Sequence, residues 1–247
     1  MTHFLDTVET IESGVGFQHF GSLHLVWLLV FLIITGINCV WYRKLSDDGR
    51  KTWEKVVAML LVADEVFKVV CLIIGGRYTP DYLPIHLCSI NIFVIAIHAW
   101  KKSEMMDNFL YMVCIPGTLA ALLFPSWTKL PLLNFMHLHS FTVHILLFLY
   151  PVVLTVNGVI RPDFKGIPKS LLLLVLMAGF ALVVNLLLDT NFMFLMYADE
   201  GNPLYIFEQL WGSHLLGFPV IIIGVLLLLY LPMELYRKLK RNKKTAE

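Results

Sequence analysis

Residues 170–188 read SLLLLVLMAGFALVVNLLL, nineteen positions in a row without a charge. As a helix rising 1.5 Å per residue this run is about 28 Å long, close to the roughly 30 Å of a bilayer's hydrocarbon core. Outward from it, the same kind of run recurs at roughly 20–42, 53–75, 84–100, 107–125, 135–157 and 212–236. Segments rich in Gly, Pro, Asn and Asp separate the runs. The expectation is an all-α, polytopic membrane bundle of about seven transmembrane helices, forming a single integral membrane domain over residues 1–247. Composition agrees: 58% of the chain is apolar, 15% is charged, and the mean hydropathy is +0.74. A soluble domain of this size needs more charge to cover its surface.

Orientation follows from the basic residues of alternate loops. One side collects Arg43, Lys44, Arg50, Lys51, Lys101, Lys102, Arg161, Lys165 and Lys169. The C-terminal tail adds Arg237, Lys238, Lys240, Arg241, Lys243 and Lys244. The other side has Arg77 and Lys129. Fifteen against two puts the N-terminus outside and the C-terminus in the cytoplasm. The basic tail is a topology anchor on anionic lipid rather than a nucleic-acid site. The first eighteen residues have no basic region before an apolar stretch, so the first span is expected to act as the insertion signal.

Orientation gives each polar residue a depth. Of the nine histidines, only His98 falls clearly in the inner half. His19 and His24 open the first span, His86 the third, His137, His139 and His144 the fifth, and His214 the seventh. Ionisable groups in hydrocarbon cost several kcal/mol unless they face a wet interior, so this bias reads as one polar cavity toward the outer leaflet. The competing reading, a belt of rings at headgroup level, suits His19, His137 and His214 equally well. His144 lies two turns, roughly 10 Å, deeper than His137 and fits the belt less well.

Four cysteines, Cys39, Cys71, Cys88 and Cys114, all fall inside apolar runs, without a CxxC pair. That pattern argues against both a disulfide framework and a zinc knuckle. Cys39, Cys71 and Cys114 read as small packing residues. Cys88 differs, because Pro84 is expected in the first turn of the third span, with Cys88 about one turn further in. A helix N-terminus favours a thiolate. Asn91, at i+3 on the same face, can offer an amide donor to a developing oxyanion. No local spacing signals a metal: His137 and His139 diverge by about 200° around a helix, as do His86 and Cys88.

The second span carries Asp64, Glu65 and Lys68 near its middle. Lys68 can pair with either acid, at i,i+4 or i,i+3. The trio reads as an ion relay, as the floor of a headgroup pocket, or as a buried pair that fixes helix packing. Residues 189–209 form an acidic segment (Asp189, Asp199, Glu200, Glu208) with an aromatic core, read as a lid or as a loop tethered by aromatics. Trp127 and Trp211 read as interfacial anchors.

Leu83-Pro84-Ile85-His86-Leu87-Cys88-Ser89 resembles the LP-x-HLC signature of YwaF-like bacterial membrane proteins. Their eukaryotic relative is transmembrane protein 164, a phospholipid acyltransferase. Two further stretches fit: Asn134 through His139 to His144, and Thr190-Asn191-Phe192-Met193-Phe194-Leu195. The resemblance spans nearly the whole chain in the same order. It implies a cysteine nucleophile at Cys88 and a histidine base at His144. His86 is a second candidate for the base or a group that orients phosphate. His137 and Asn191 are expected to orient substrate, and Asp64, Glu65, Lys68 and His214 to line the cavity.

On this resemblance the expected activity moves a fatty acyl group between membrane phospholipids and lysophospholipids through a thioester, with lipid hydrolysis if water accepts. No metal or organic cofactor is required, and the expected location is the plasma membrane, the cytoplasmic membrane of a bacterial cell. The rival reading is a transporter or small-molecule-binding protein using the second span as a relay. Against it, the sequence has no repeated half and no pair of Gly/Pro-broken helices.

Overall fold

A computed structural model describes the backbone of residues 3–198 and 202–246, and side chains up to residue 234. Asp199 and Glu200 lie outside the described residues, as do the side chains of the basic tail from Arg237 to Lys244. Among the described residues all regular structure is helical. The helices are α1 (Ser22–Lys44), α2 (Asp47–Ile74), α3 (Leu87–Trp100), α4 (Glu104–Phe109), α5 (Ile115–Leu123), α6 (Phe135–Val156), α7 (Ile167–Leu188), a short α8 (Tyr205–Trp211) and α9 (Gly217–Ala246). Six segments are long and apolar enough to cross a membrane. The 28-residue α2 is as long but carries Asp64, Glu65 and Lys68. It completes the roughly seven spans read from the sequence.

Local chemistry sets the helix ends. Ser46 and Ser103 each accept a backbone N–H three residues on and start α2 and α4. Asn134 accepts from Met136 and His137 and starts α6. After α2, Gly76 turns the chain at φ 63°, and Arg77 N–H returns to the Leu72 carbonyl.

The predicted run 107–125 is one span with a widened middle. α4 passes into α5 through a π turn at Leu110–Cys114, where Ile115 N–H donates to the Leu110 carbonyl. Pro116 lacks an N–H and its ring crowds the carbonyl four residues back, which a wider turn relieves. Pro151 has the complementary effect inside α6. It leaves the Leu147 carbonyl without its helical donor, and the Cys114 thiol fills the gap at 3.3 Å. Cys114 is therefore a packing and hydrogen-bonding residue, as its sequence context suggests.

α6 is the central helix: 67% of its apolar window is buried, against 17% for α1 and 11% for α7 and α9. Its buried face meets α1, α2, α3 and α5. The end of the bundle that carries the basic loops has its own polar cluster. The Tyr42 hydroxyl donates to Glu54 at 2.7 Å, and Lys102 reaches the same carboxylate at 2.8 Å. His98 sits between Asp107 (2.7 Å) and the Tyr150 hydroxyl (2.9 Å). These bonds tie together the α1–α2, α3–α4 and α6 junctions. They account for the one histidine that the depth reading left apart.

Candidate functional site

The opposite end of the bundle is where α3 and α6 begin and α2 and α7 finish. α3 starts at Leu87, three residues later than the proline rule implies, with His86 as its N-cap. Pro84 belongs to the turn before the helix. This correction moves Cys88 into the first helical turn. No side chain caps α3, so the first-turn N–H groups are left for other acceptors.

Across from it, α6 presents His144. Its Nδ1–H donates to the Ser140 carbonyl at 2.6 Å, one turn back on the same helix. That bond puts the ring proton on Nδ1 and leaves Nε2 as an acceptor. Nε2 lies 3.2 Å from the Cys88 sulfur. The thiol is half-buried and the imidazole only 8% exposed. A thiol faces the acceptor nitrogen of an imidazole whose other nitrogen is held in place, a geometry that can support proton transfer from the sulfur. Asn91 lies three residues further along α3, 2% exposed, with Oδ1 unpartnered. A buried polar atom without a partner costs about 1–3 kcal/mol, and this one is an acceptor; the donor of the same side chain is Nδ2.

Beside the pair runs a chain of charged groups. Asp64 accepts from the Thr142 hydroxyl at 3.1 Å and lies 3.3 Å from His139 Nδ1, off the angle of a hydrogen bond. His139 Nε2 is 3.8 Å from Glu65, whose other oxygen binds the Lys68 ammonium. Of the two pairings open to Lys68, the i,i+3 pair with Glu65 forms. Asp64 turns to α6 instead. Asp64 and His139 lie within electrostatic reach of His144, and Lys68 within reach of His86.

Two segments cover this end. Residues 3–19 lie over α2 and α6. Asn134 donates to the carbonyls of His3 and Asp6, the Tyr82 hydroxyl donates to Glu9, and Phe17 N–H donates to the Thr128 carbonyl. In the second segment, after α7, residues 189–198 begin with a tight loop. Asn185 organises it, accepting from Phe192 N–H (2.7 Å) and the Thr190 hydroxyl, and donating to the Phe192 carbonyl. Asp189, Met193 and Phe194 take left-handed backbone conformations. Such positions cost about 1–2 kcal/mol each outside glycine and persist only when their surroundings enforce them. The fully buried Phe192 and its neighbour Phe194 rest on the His86 ring, with centroids 5.0 and 6.1 Å away.

The other expected site residues are committed elsewhere. His137 accepts from the Trp27 indole at 2.9 Å and donates to the Leu130 carbonyl, so neither ring nitrogen is left for substrate. Asn191 closes its own turn onto Met196 and Tyr197. His214 lies 3.1 Å from the Phe194 carbonyl and 3.3 Å from Glu208, holding α8 against the loop. His24, 0% exposed, bonds to Phe20 and Leu122. The interfacial reading of Trp127 is also corrected. The indole is 7% exposed and stacks on His144, with centroids 5.2 Å apart and planes 12° from parallel. Thr142 and the Ser140 carbonyl have no place in the sequence reading of the site, and neither Trp127 nor Asn185 is placed in the site by it. Only the i,i+4 spacing of Ser140 and His144 carried a usable signal.

No curated protein and no solved structure matches the chain. A family model described as TMEM164 family does match, over residues 16–230, and the chain belongs to that family.

Proposed function

We propose that this membrane protein is an acyltransferase that moves fatty acyl groups between phospholipids and lysophospholipids through a thioester on Cys88. The observation that carries the reading is the 3.2 Å approach of His144 Nε2 to the Cys88 sulfur, with the tautomer set by Ser140. In the first half-reaction the thiol proton passes to Nε2 and the sulfur attacks the ester carbonyl carbon. The carbon–oxygen bond breaks, and His144 returns the proton to the departing lysophospholipid oxygen. In the second, an acceptor hydroxyl gives its proton to Nε2 and attacks the thioester. The thiolate leaves and recovers that proton, so the enzyme ends as it began. Water as acceptor makes the same cycle a hydrolysis.

The uncapped start of α3 supplies N–H donors for the tetrahedral oxyanion, and its dipole favours the thiolate by about 0.3–1 kcal/mol. The Asn91 amide is the side-chain donor. Asn91→Ala is expected to lower kcat about 100-fold with little change in KM, because the interaction is made in the transition state. Steady-state kinetics in lipid micelles measures this split.

With the N-terminus outside and the C-terminus cytoplasmic, the pair draws on outer-leaflet lipid of the plasma membrane. A direct test supplies diacyl phospholipid without acceptor, quenches in acid and reads the intact mass. The expected result is one acyl increment, released by hydroxylamine and absent after iodoacetamide treatment. An unchanged mass under turnover conditions removes the thioester from the mechanism.

The α2 chain favours a second reading, ion relay, because the Glu65 Oε2 and His139 Nδ1 atoms are buried without hydrogen bonds. Proton flux across vesicles that is lost in Asp64→Asn, together with no acyl increment, puts that reading first.

A further inference from the structure

Two features of Trp127 are unused by the mechanism above. Its ring lies nearly parallel to the base at 5.2 Å, and its buried Nε1–H has no partner. No side-chain hydrogen bond therefore places the indole; the stack on His144, an edge contact with Phe141 at 5.3 Å and the buried apolar cluster it shares with Leu122, Leu130 and Ile145 hold it. A thiol–imidazole pair must pass through thiolate and imidazolium. In many such sites a carboxylate against the far ring nitrogen steadies the cation. Here that nitrogen faces only the Ser140 carbonyl, a dipole rather than a charge. The remaining titratable groups near the ring are Cys88 on α3, His139 on α6 and Asp64 on α2, and Asp64 is engaged with Thr142 and His139.

We propose that Trp127 is the positioning residue of the Cys88–His144 pair, its π face orienting the imidazole and stabilising the imidazolium as Cys88 gives up its proton. The negative face of an indole attracts a cation within about 6 Å of the ring centroid, more strongly where water is excluded. The indole thus takes the place of the missing carboxylate. It also explains why an aromatic residue from the α5–α6 loop is drawn inward instead of standing at the interface.

The inference rests on the acyl-transfer reading only for turnover, because thiolate formation can be followed without lipid. The probe is iodoacetamide alkylation of Cys88 in the full chain, followed by mass from pH 5 to 10. Fluorinated tryptophans keep the indole's shape while draining its face of electron density. Across the mono- to tetrafluoro series the alkylation rate at pH 7 is expected to fall stepwise, about tenfold in all, with the profile moving about one pH unit to the alkaline side. Trp127→Phe is expected to lose about threefold. It also serves as the background in which the other five tryptophans are fluorinated without further effect.

Alkylation indifferent to fluorination overturns the proposal, as does an equal response in the Trp127→Phe background. Trp127→Phe that loses lipid turnover with an unchanged alkylation profile also overturns it, assigning the free N–H to substrate instead. A fluorine-dependent profile in a protein that forms no acyl adduct leaves this inference standing while the acyl-transfer reading fails.

Discussion

Cys88→Ala is expected to reduce acyl transfer at least about 1,000-fold and to abolish the acyl increment on the intact protein. Removing a nucleophile leaves only the rate that binding and oxyanion stabilisation give water or acceptor attacking directly. The fold is expected to be indifferent. Cys88 is half-buried, its one side-chain bond is to His144, and alanine suits the first turn of α3. Loss of activity with an unchanged unfolding midpoint is therefore the predicted combination. His144→Asn belongs to the same unit, so the double variant is expected to be no worse than either single one.

The control is Cys114→Ala on the π turn. It removes the donor to the Leu147 carbonyl but no reacting atom, so stability falls by about 1–3 kcal/mol and activity stays within a few-fold. Transfer persisting in Cys88→Ala while falling in Cys114→Ala reverses the assignment of the two thiols.

What the sequence made legible divides along physical lines. The spans were readable because hydrocarbon imposes length and polarity on each of them: five of the apolar runs fall within three residues of their helices, while α2 starts six residues before its run and α9 ends ten residues beyond its own. Only α2 needed more than composition, its charges being compensated within α2 and by α6. The meeting of Cys88 with His144 was legible only through the LP-x-HLC resemblance. No periodicity relates residues 56 positions apart on different helices.

The misreadings were those decided by backbone and packing detail. Pro84 suits a first helical turn, but the chain turns once more before α3 begins. His137 and Asn191 carry chemistry-bearing side chains that local bonds to Trp27, Leu130, Met196 and Tyr197 consume. Trp127 had the composition of an anchor, and only three-dimensional packing turned it toward His144. Asn185 in α7 is a sharper case, because one asparagine in an otherwise apolar run holds the loop that rests on His86.

Lys68 carries the largest expected effect on stability. The ammonium and the Glu65 carboxylate are 8% and 10% exposed, and Glu65 Oε2 already has no hydrogen bond. Lys68→Met keeps the length and apolar stem but leaves an acid without its counterion. Breaking a buried pair from one side costs about 3–5 kcal/mol. The variant is therefore expected to unfold about 3–5 kcal/mol more easily in mixed micelles at neutral pH.

Lys68→Met with Glu65→Gln removes both charges and is expected to recover most of the loss. A single variant as stable as the parent at pH 7 shows that Lys68 was not neutralising a charge there. The chain from Lys68 through Glu65 and His139 to Asp64 then ceases to be an electrostatic unit beside the thiol.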